Sequence, residues 1–258
     1  MNKQFLELTD PQWEAILPFF NLKRKRKLDL RQVMNALLYV VRTGCQWRNL
    51  PAQWPNWQAV YYYFDKWKRN GLFERINRVV NQLDRKNQER EEYPSIFCID
   101  SQSVKLSPGI FEDRGIDANK KVNGRKRQLL VDSGGRLWAA HVHAGNIGDG
   151  PAALALVPHI LYYSDRLEKI YGDQAYNGVF AKNINEFGFD FEKASRPESA
   201  KGFVPVAKRW VVERSISWTN YFRRLVKDYE YTTSSSVAWL YLANTQLMLQ
   251  RICLKNQT

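Results

Sequence analysis

Cysteine is scarce and scattered. The chain of 258 residues holds 3, Cys45, Cys98 and Cys253, with no C-x-x-C pair among them. An odd, unclustered count leaves no disulfide framework and fits a reduced, cytosolic protein. Histidine is equally rare, at 3. His141 and His143 stand at i,i+2 on one strand face, and no third soft ligand is in view, so they read as structural or DNA-facing rather than as zinc ligands. Long apolar runs are missing. Stretches such as VMNALLYVV are too short to span a bilayer, so no membrane partner is expected. The N-terminus lacks the basic, apolar and small-residue order of a secretory leader. Nothing repeats and nothing is low-complexity. Acidic residues are also in deficit, with 26 Asp+Glu against 39 Lys+Arg and a net charge of +13. Such an excess points to a polyanionic partner, most commonly nucleic acid, or else to a merely solvated basic surface.

Aromatic residues are plentiful, with 9 Trp, 13 Tyr and 13 Phe. Composition does not separate those that build a core from those that touch a partner. The length suffices for one large domain or two small ones. A polar, charged run at residues 86–94, KNQEREEYP, divides two segments of different character. The boundary is placed there, giving domains 1–90 and 91–258.

The first segment reads as helices. LTDPQWEAILPFF has Thr9 or Asp10 as N-cap and Pro11 in the first turn. A basic loop follows, NLKRKRK, with Lys23, Arg24, Lys25 and Arg26, which equally suits an unstructured phosphate-binding arm. LDLRQVMNALLYVVRTG starts near Asp29 and stops at Gly44. After a short turn, NWQAVYYYFDKWKRNG carries an aromatic face and the cations Lys66, Lys68 and Arg69. Helix, tight turn and helix beside basic clusters is the layout of helix-turn-helix DNA readers, and equally of any small helical bundle.

The second segment mixes strands and helices. SIFCID and LEKIYGD read as short buried strands ending on Asp100 and Asp173, and residues 127–145 read as a hairpin turning at SGG. GDGPAALALVPHILYY reads as a helix capped by Asp149, NGVFAKNINEFG as another helix, and FDFEKASR as a last strand. AKRWVVERSISWTNYFRRLVKDYE and SSVAWLYLANTQLMLQRICL read as two long helices. The order describes a mixed sheet with covering helices, α+β or α/β in class. Lys120, Lys121, Arg125, Lys126 and Arg127 form a basic stretch read as a DNA-backbone clamp or a solvated loop.

A carboxylate ending a buried strand costs several kcal/mol, roughly, unless it is paired. Ligands of open sheets sit at the carboxyl ends of parallel strands, so Asp100 and Asp173 can reach one edge. Carboxylate oxygens suit Mg²⁺ or Mn²⁺, and a pair of such ions clamps the attacking and leaving oxygens of a phosphodiester. Each acid also has a plain structural reading: Asp100 bonding the following Ser101–Ser103, Asp173 capping a turn. Gly172 removes a side chain where backbone approaches metal or phosphate. Glu213 falls on a helix face with Arg209, Asn220, Arg224 and Lys227, opposite Val211, Trp218, Phe222, Leu225 and Tyr229. On helical spacing alone it is an i,i+4 surface partner of Arg209 before it is a metal ligand.

Ordered matches then carry a resemblance. The N-terminal runs LTDPQWEAILPFF, LLYVVRTGCQWRNLP and NWQAVYYYFDKWKRNGLFERI, followed by FCIDSQSVK, HAGNIGD, YGDQAYNG and RWVVERSISW with RRLVKDYE, resemble bacterial insertion-sequence DDE transposases of the fifth insertion-sequence family. The resemblance covers nearly the whole chain. It implies an N-terminal helical DNA-binding domain and an RNase H-like catalytic domain whose metal-binding, catalytic triad is Asp100, Asp173 and Glu213, with Mg²⁺ or Mn²⁺ as cofactor. It also implies cleavage at element ends, strand transfer into target DNA, a dimer or larger assembly on DNA, and residence in the bacterial cytoplasm at the nucleoid. Two departures stand around the third acid: where relatives have Tyr-x2-Arg-x3-Glu-x6-Lys, Val206 replaces the Tyr and Asn220 the Lys. Arg209 keeps its place, and Arg224 or Lys227 is expected to take over the phosphate contact. Competing readings are a DNA-binding regulator derived from a transposase and an RNase H-like nuclease without strand transfer.

Overall fold

Local signals set the helix ends. A computed structural model describes residues 7–21, 27–194 and 209–255, with side chains except at 209 and 253–255. Thr9 and Gln12 form a capping box at the start of α1 (Asp10–Ile16). The Asp29 carboxylate accepts from Arg31 N to open α2 (Leu30–Thr43), and Gly44, at φ 70°, closes it. Asn56 caps α3 (Trp57–Arg69), and α4 (Leu72–Lys86) begins after Asn70 and Gly71. The tight turn therefore joins α3 to α4. Between α2 and α3 lies a longer connection containing a 3₁₀ turn at Trp47–Asn49, which does not match the helix-turn-helix spacing expected there.

The helical unit is assembled from Met1–Arg90, Thr219–Val226 and Ser234–Thr258. It thus includes α9 (Arg223–Val226) and nearly all of α10 (Thr233–Lys255). This corrects the assignment of 91–258 to one domain. The reason is physical: α10 is apolar on nearly every side and must be enclosed. Trp239 stacks on Phe64 of α3 with ring centroids 4.4 Å apart. Asn244 donates to Asn77 at 2.6 Å and to Asn81 at 2.9 Å, both on α4. No described helix is long and apolar enough to cross a membrane.

The second unit comprises Glu91–Trp218 with Lys227–Thr233. Its sheet contains β1 (Ile96–Lys105), β2 (Gly115–Asp117), β3 (Val122–Asp132), β4 (Leu137–Ala144), β5 (Lys169–Gly172) and β6 (Asp190–Lys193). The order runs β2-β3-β1-β5-β6, with β4 also paired to β3. β1, β3 and β4 are antiparallel, whereas β5 and β6 continue the sheet in parallel with β1. This is the mixed sheet of an RNase H-like domain. Phe97, Ile99, Leu130 and Trp138 pack on its first face against α5 (Asp149–Ala153), α6 (Val157–Tyr162) and α7 (Val179–Glu186) through residues such as Ala153, Ile160, Phe180 and Ile184. Strand side chains alternate. Cys98 and Asp100 therefore face the other side, where Val212 of α8 (Arg209–Thr219) lines the same cleft.

Three boundaries differ from the sequence reading. Residues 148–163 form two short helices linked by a 3₁₀ turn at Leu154–Leu156, because Pro158 brings no N–H to a continuous ladder. Gly148, not Asp149, is the N-cap there. The long helix expected over 207–230 ends at Thr219, and a turn in which Phe222 N donates to Thr219 O precedes α9. A helical face drawn from Glu213 through Arg224 to Lys227 therefore does not exist.

Candidate active site at the ends of two parallel strands

The parallel ladder between β1 and β5 pairs Ile96 with Lys169, Phe97 with Ile170 and Cys98 with Tyr171. Continuing that register by two residues sets Asp100 opposite Asp173. Asp100 and Asp173 line one small cleft, together with Cys98, Ile99, Tyr171, Gly172, Ala194 and Val212. Asp100 does not end its strand, as had been expected. β1 runs on to Lys105 because β3 pairs with it as far as Gly124. What ends just before Asp100, at Cys98, is the partnership with β5, and the cleft lies where it stops.

Each acid is half-buried. Asp100 Oδ1 accepts from Ser101 N at 2.7 Å. Asp173 caps a 3₁₀ turn at Gln174–Tyr176, its Oδ1 accepting from Ala175 N at 2.9 Å. Its other oxygen has no hydrogen-bond partner among the described residues. The capping reading and the cleft reading of Asp173 are thus both realised. Gly172 is small for packing: an added Cβ would meet Ile99 at 3.0 Å and the Phe191 ring at 3.1 Å.

Glu213 follows Val212 on α8 and is exposed. It does not line the cleft, and among the described residues no group of three or more His, Cys, Asp or Glu is placed to hold a metal. Two oxygen donors on one cleft suit a hard divalent cation in kind. The third donor is not brought to them.

The cations proposed to hold DNA separate into distinct environments. Lys66 and Arg69 are exposed on α3, Lys66 at 5.8 Å over the Tyr62 ring and Arg69 paired with Asp65 at 2.7 Å. Lys23, Arg24, Lys25 and Arg26 lie outside the described residues, as does the side chain of Arg209. Arg224 is 8 % exposed, set over the rings of Trp47 and Trp239 and donating to Cys45 O at 3.3 Å. A guanidinium held among indoles is not available to phosphate, which corrects its assignment. Lys227 is half-buried over the Tyr229 ring.

Lys126 is also corrected, and with it the idea of a basic clamp over 120–127. Arg125, Lys126 and Arg127 are buried in β3. Lys126 lies 3.3 Å from Asp149 and 3.8 Å from Asp117. Burial alone raises the Asp117 carboxyl. The Ser103 hydroxyl, the amides of Lys120 and Asn119, and the Lys126 charge outweigh it and bring the carboxyl below its ordinary value. Arg125 donates to Glu112 O, Glu230 O, Tyr231 O and the Asp228 carboxylate, clamping the segment after α9 onto the loop after β1. Of its cations only Lys120 and Lys121 are exposed.

One cluster next to the acids escaped the sequence reading. The Tyr176 phenol, fully buried, donates to Gln128 Oε1 at 2.5 Å. Gln128 Nε2 lies 3.1 Å from both Asp149 Oδ1 and His143 Nε2. His143 Nδ1 lies 2.9 Å from Ala144 O, so that nitrogen carries the proton and Nε2 accepts. Burial lowers the pKa of His143, and of its stacked neighbour His141, keeping the neutral form. The histidines are therefore structural. The visible signal in the sequence was only a tyrosine placed three residues after Asp173.

Residues 92–247, more than half of the chain, match the model of the "Transposase DDE domain". The chain belongs to the DDE transposases. Residues 8–77 match a second family model, described as "Putative transposase of IS4/5 family", so the helical region of this transposase is also shared with insertion-sequence proteins. The uncharacterized protein y4sN of Sinorhizobium fredii is 31 % identical over 77 residues, which are 28 % of this chain and 62 % of that protein. The chain thus spans less than two thirds of that relative's length. A cryo-EM structure of a piggyBac transposase synaptic complex with hairpin DNA covers 96 % of this chain and 74 % of its own, at 13 % identity and a TM-score of 0.41.

Proposed function

We propose that this DDE transposase is a divalent-metal-dependent enzyme that cleaves DNA at the ends of an insertion sequence and joins the freed 3′-hydroxyls to target DNA. The observation that supports this most is the convergence of Asp100 and Asp173 on one cleft where the β1–β5 ladder stops. Asp100 and Asp173 would hold Mg²⁺ or Mn²⁺, with Glu213 of α8 as the third ligand that the family motif assigns. Bound there, such an ion supplies Lewis-acid stabilisation of the attacking and leaving oxygens. The chain's own part is to fix the carboxylates. Ser101 N holds one Asp100 oxygen, and the Gln174–Tyr176 turn holds one Asp173 oxygen. The exposed Tyr62, Lys66 and Arg69 of α3 form a basic, aromatic face suited to a phosphate backbone. Element-end and target DNA are the proposed partners. Two ends must be brought together, so the active form on DNA is at least a dimer, in the bacterial cytoplasm.

The test uses purified full-length protein and labelled DNA flanking its reading frame. Wild type should cleave in Mg²⁺ and stop in EDTA. Asp100→Asn and Glu213→Gln should bind the same DNA while losing at least about 10²-fold in cleavage rate, the scale of removing an electrostatic group from a transition state. Wild-type cleavage by Asp100→Asn would sink the assignment of the acids. Binding without cleavage by wild type would favour the regulator, and cleavage without joining the nuclease.

A further inference from the structure

The phenol of Tyr176 joins a turn to the sheet. It donates to Gln128 of β3, and Tyr176 ends the turn that Asp173 begins. Gln128 and Ser101 are register partners across β1 and β3. The proton order along this chain is set from its far end. The protonated Nδ1 of His143 leaves Nε2 to accept, so Gln128 presents its amide hydrogens to His143 and Asp149 and its oxygen to Tyr176. Burial, reinforced by the charges of Asp100, Asp149 and Asp173, pushes the phenol well above its ordinary value, so it remains a donor.

A hydroxyl is not needed there for packing. The Tyr176 ring sits edge-on to Phe180 in the apolar core, and phenylalanine would fill the same space. Burying an extra hydroxyl brings a desolvation cost that its hydrogen bonds only offset. The sheet gives a reason for it. The β1–β5 ladder stops at Cys98 and Tyr171, so no strand pairing fixes Asp173 against Asp100. The phenol instead anchors the Asp173 turn to Gln128 of β3, the strand paired with β1.

We propose that Tyr176 is a positioning residue for the acid pair: its hydroxyl ties the turn bearing Asp173 to Gln128 of β3, the register partner of Ser101 next to Asp100, and so sets the spacing of the two carboxylates. The inference rests on the reading of Asp100 and Asp173 as ion-holding residues. Groups that orient metal ligands typically change metal affinity about 10–100-fold when removed.

Mn²⁺ binding by full-length protein without DNA, followed from the electron paramagnetic resonance signal of free Mn²⁺, tests it apart from activity. Tyr176→Phe should weaken binding at least about tenfold, with the protein still folded although its unfolding midpoint falls because Gln128 Oε1 loses its donor. Gln128→Met, which keeps the tyrosine and removes the acceptor of its hydroxyl, should weaken binding in the same direction, and decides the matter if Tyr176→Phe does not fold. Asp100→Asn should abolish binding. If Asp100→Asn binds Mn²⁺ as wild type does, or wild type binds none, the underlying reading fails. If Asp100→Asn loses binding while Tyr176→Phe and Gln128→Met keep wild-type affinity, the positioning role is refuted.

Discussion

Arg125 offers the sharpest stability test. Its side chain has no exposed surface, and the guanidinium reaches Glu112 O at 2.6 Å, Glu230 O at 2.8 Å, Tyr231 O at 3.0 Å and Asp228 Oδ2 at 3.4 Å. Asp228 is itself 1 % exposed. Arg125→Met preserves much of the volume and removes every one of these donors. Removing one partner of a buried ion pair costs about 3–5 kcal/mol. Glu112 and Tyr231 are exposed residues whose carbonyls can regain water, so the lower end, about 3 kcal/mol, is the appropriate figure. If the clamp opens locally, that corresponds to roughly a hundredfold faster amide exchange. Hydrogen–deuterium exchange should show it at residues 227–233 and 107–114, with the centre of the sheet unchanged. Arg125→Lys keeps the charge but not the planar fork, and should fall between the two. Exchange of 227–233 within about threefold of wild type in Arg125→Met would refute the clamp.

Two further outcomes follow from packing and protonation. A Cβ on Gly124 would lie 2.0 Å from Val104 O and 2.7 Å from Leu106 N, both backbone atoms. Gly124→Ala should therefore destabilise by more than the about 1–3 kcal/mol of ordinary overpacking, read as a lower melting temperature or lost soluble yield. Gly148→Ala, where the nearest atom is Pro151 Cδ at 3.5 Å, should be close to neutral in the same assay. His141 and His143 both have native values below the ordinary one, chiefly through burial. Between those lowered values and about 6.5, the unfolded chain binds more protons than the native one, so stability is lost as pH falls, by at most about 1.4 kcal/mol per unit for each histidine. Replacing both with Gln should flatten the melting temperature profile between about pH 7 and pH 5.5; an unchanged slope would assign it to carboxylates instead.

Local chemistry made much of this fold legible. Thr9, Asp29 and Gly44 mark helix ends by satisfying backbone groups within a turn, and such signals need no knowledge of the rest of the chain. The alternation in 127–145 likewise announced its hairpin. The candidate site was legible as acids in apolar strands, but not in its detail. SQSVK looks like the end of a strand, and only the pairing with β3 keeps β1 going through it. Lys126 and Arg224 were read as surface cations because charge is usually solvated, and their partners, Asp149 and the Trp47 and Trp239 rings, are distant in sequence. The allegiance of α10 was hidden for a related reason: a helix apolar all round reports that it is enclosed, not by what.

That allegiance has a consequence for how the chain is made. During synthesis the amino-terminal part of a protein ordinarily folds first. Here α1 to α4 emerge without Trp239 to cover Phe64 and without Asn244 to engage Asn77 and Asn81. The helical unit stays an unfinished core on the ribosome until the whole sheet has been translated and α10 follows. A message broken or a frame shifted anywhere before α10 then yields a product with an open apolar surface, suited to chaperones and proteases rather than to DNA. The helical unit thus matures last, although α1 to α4 precede the sheet in the chain.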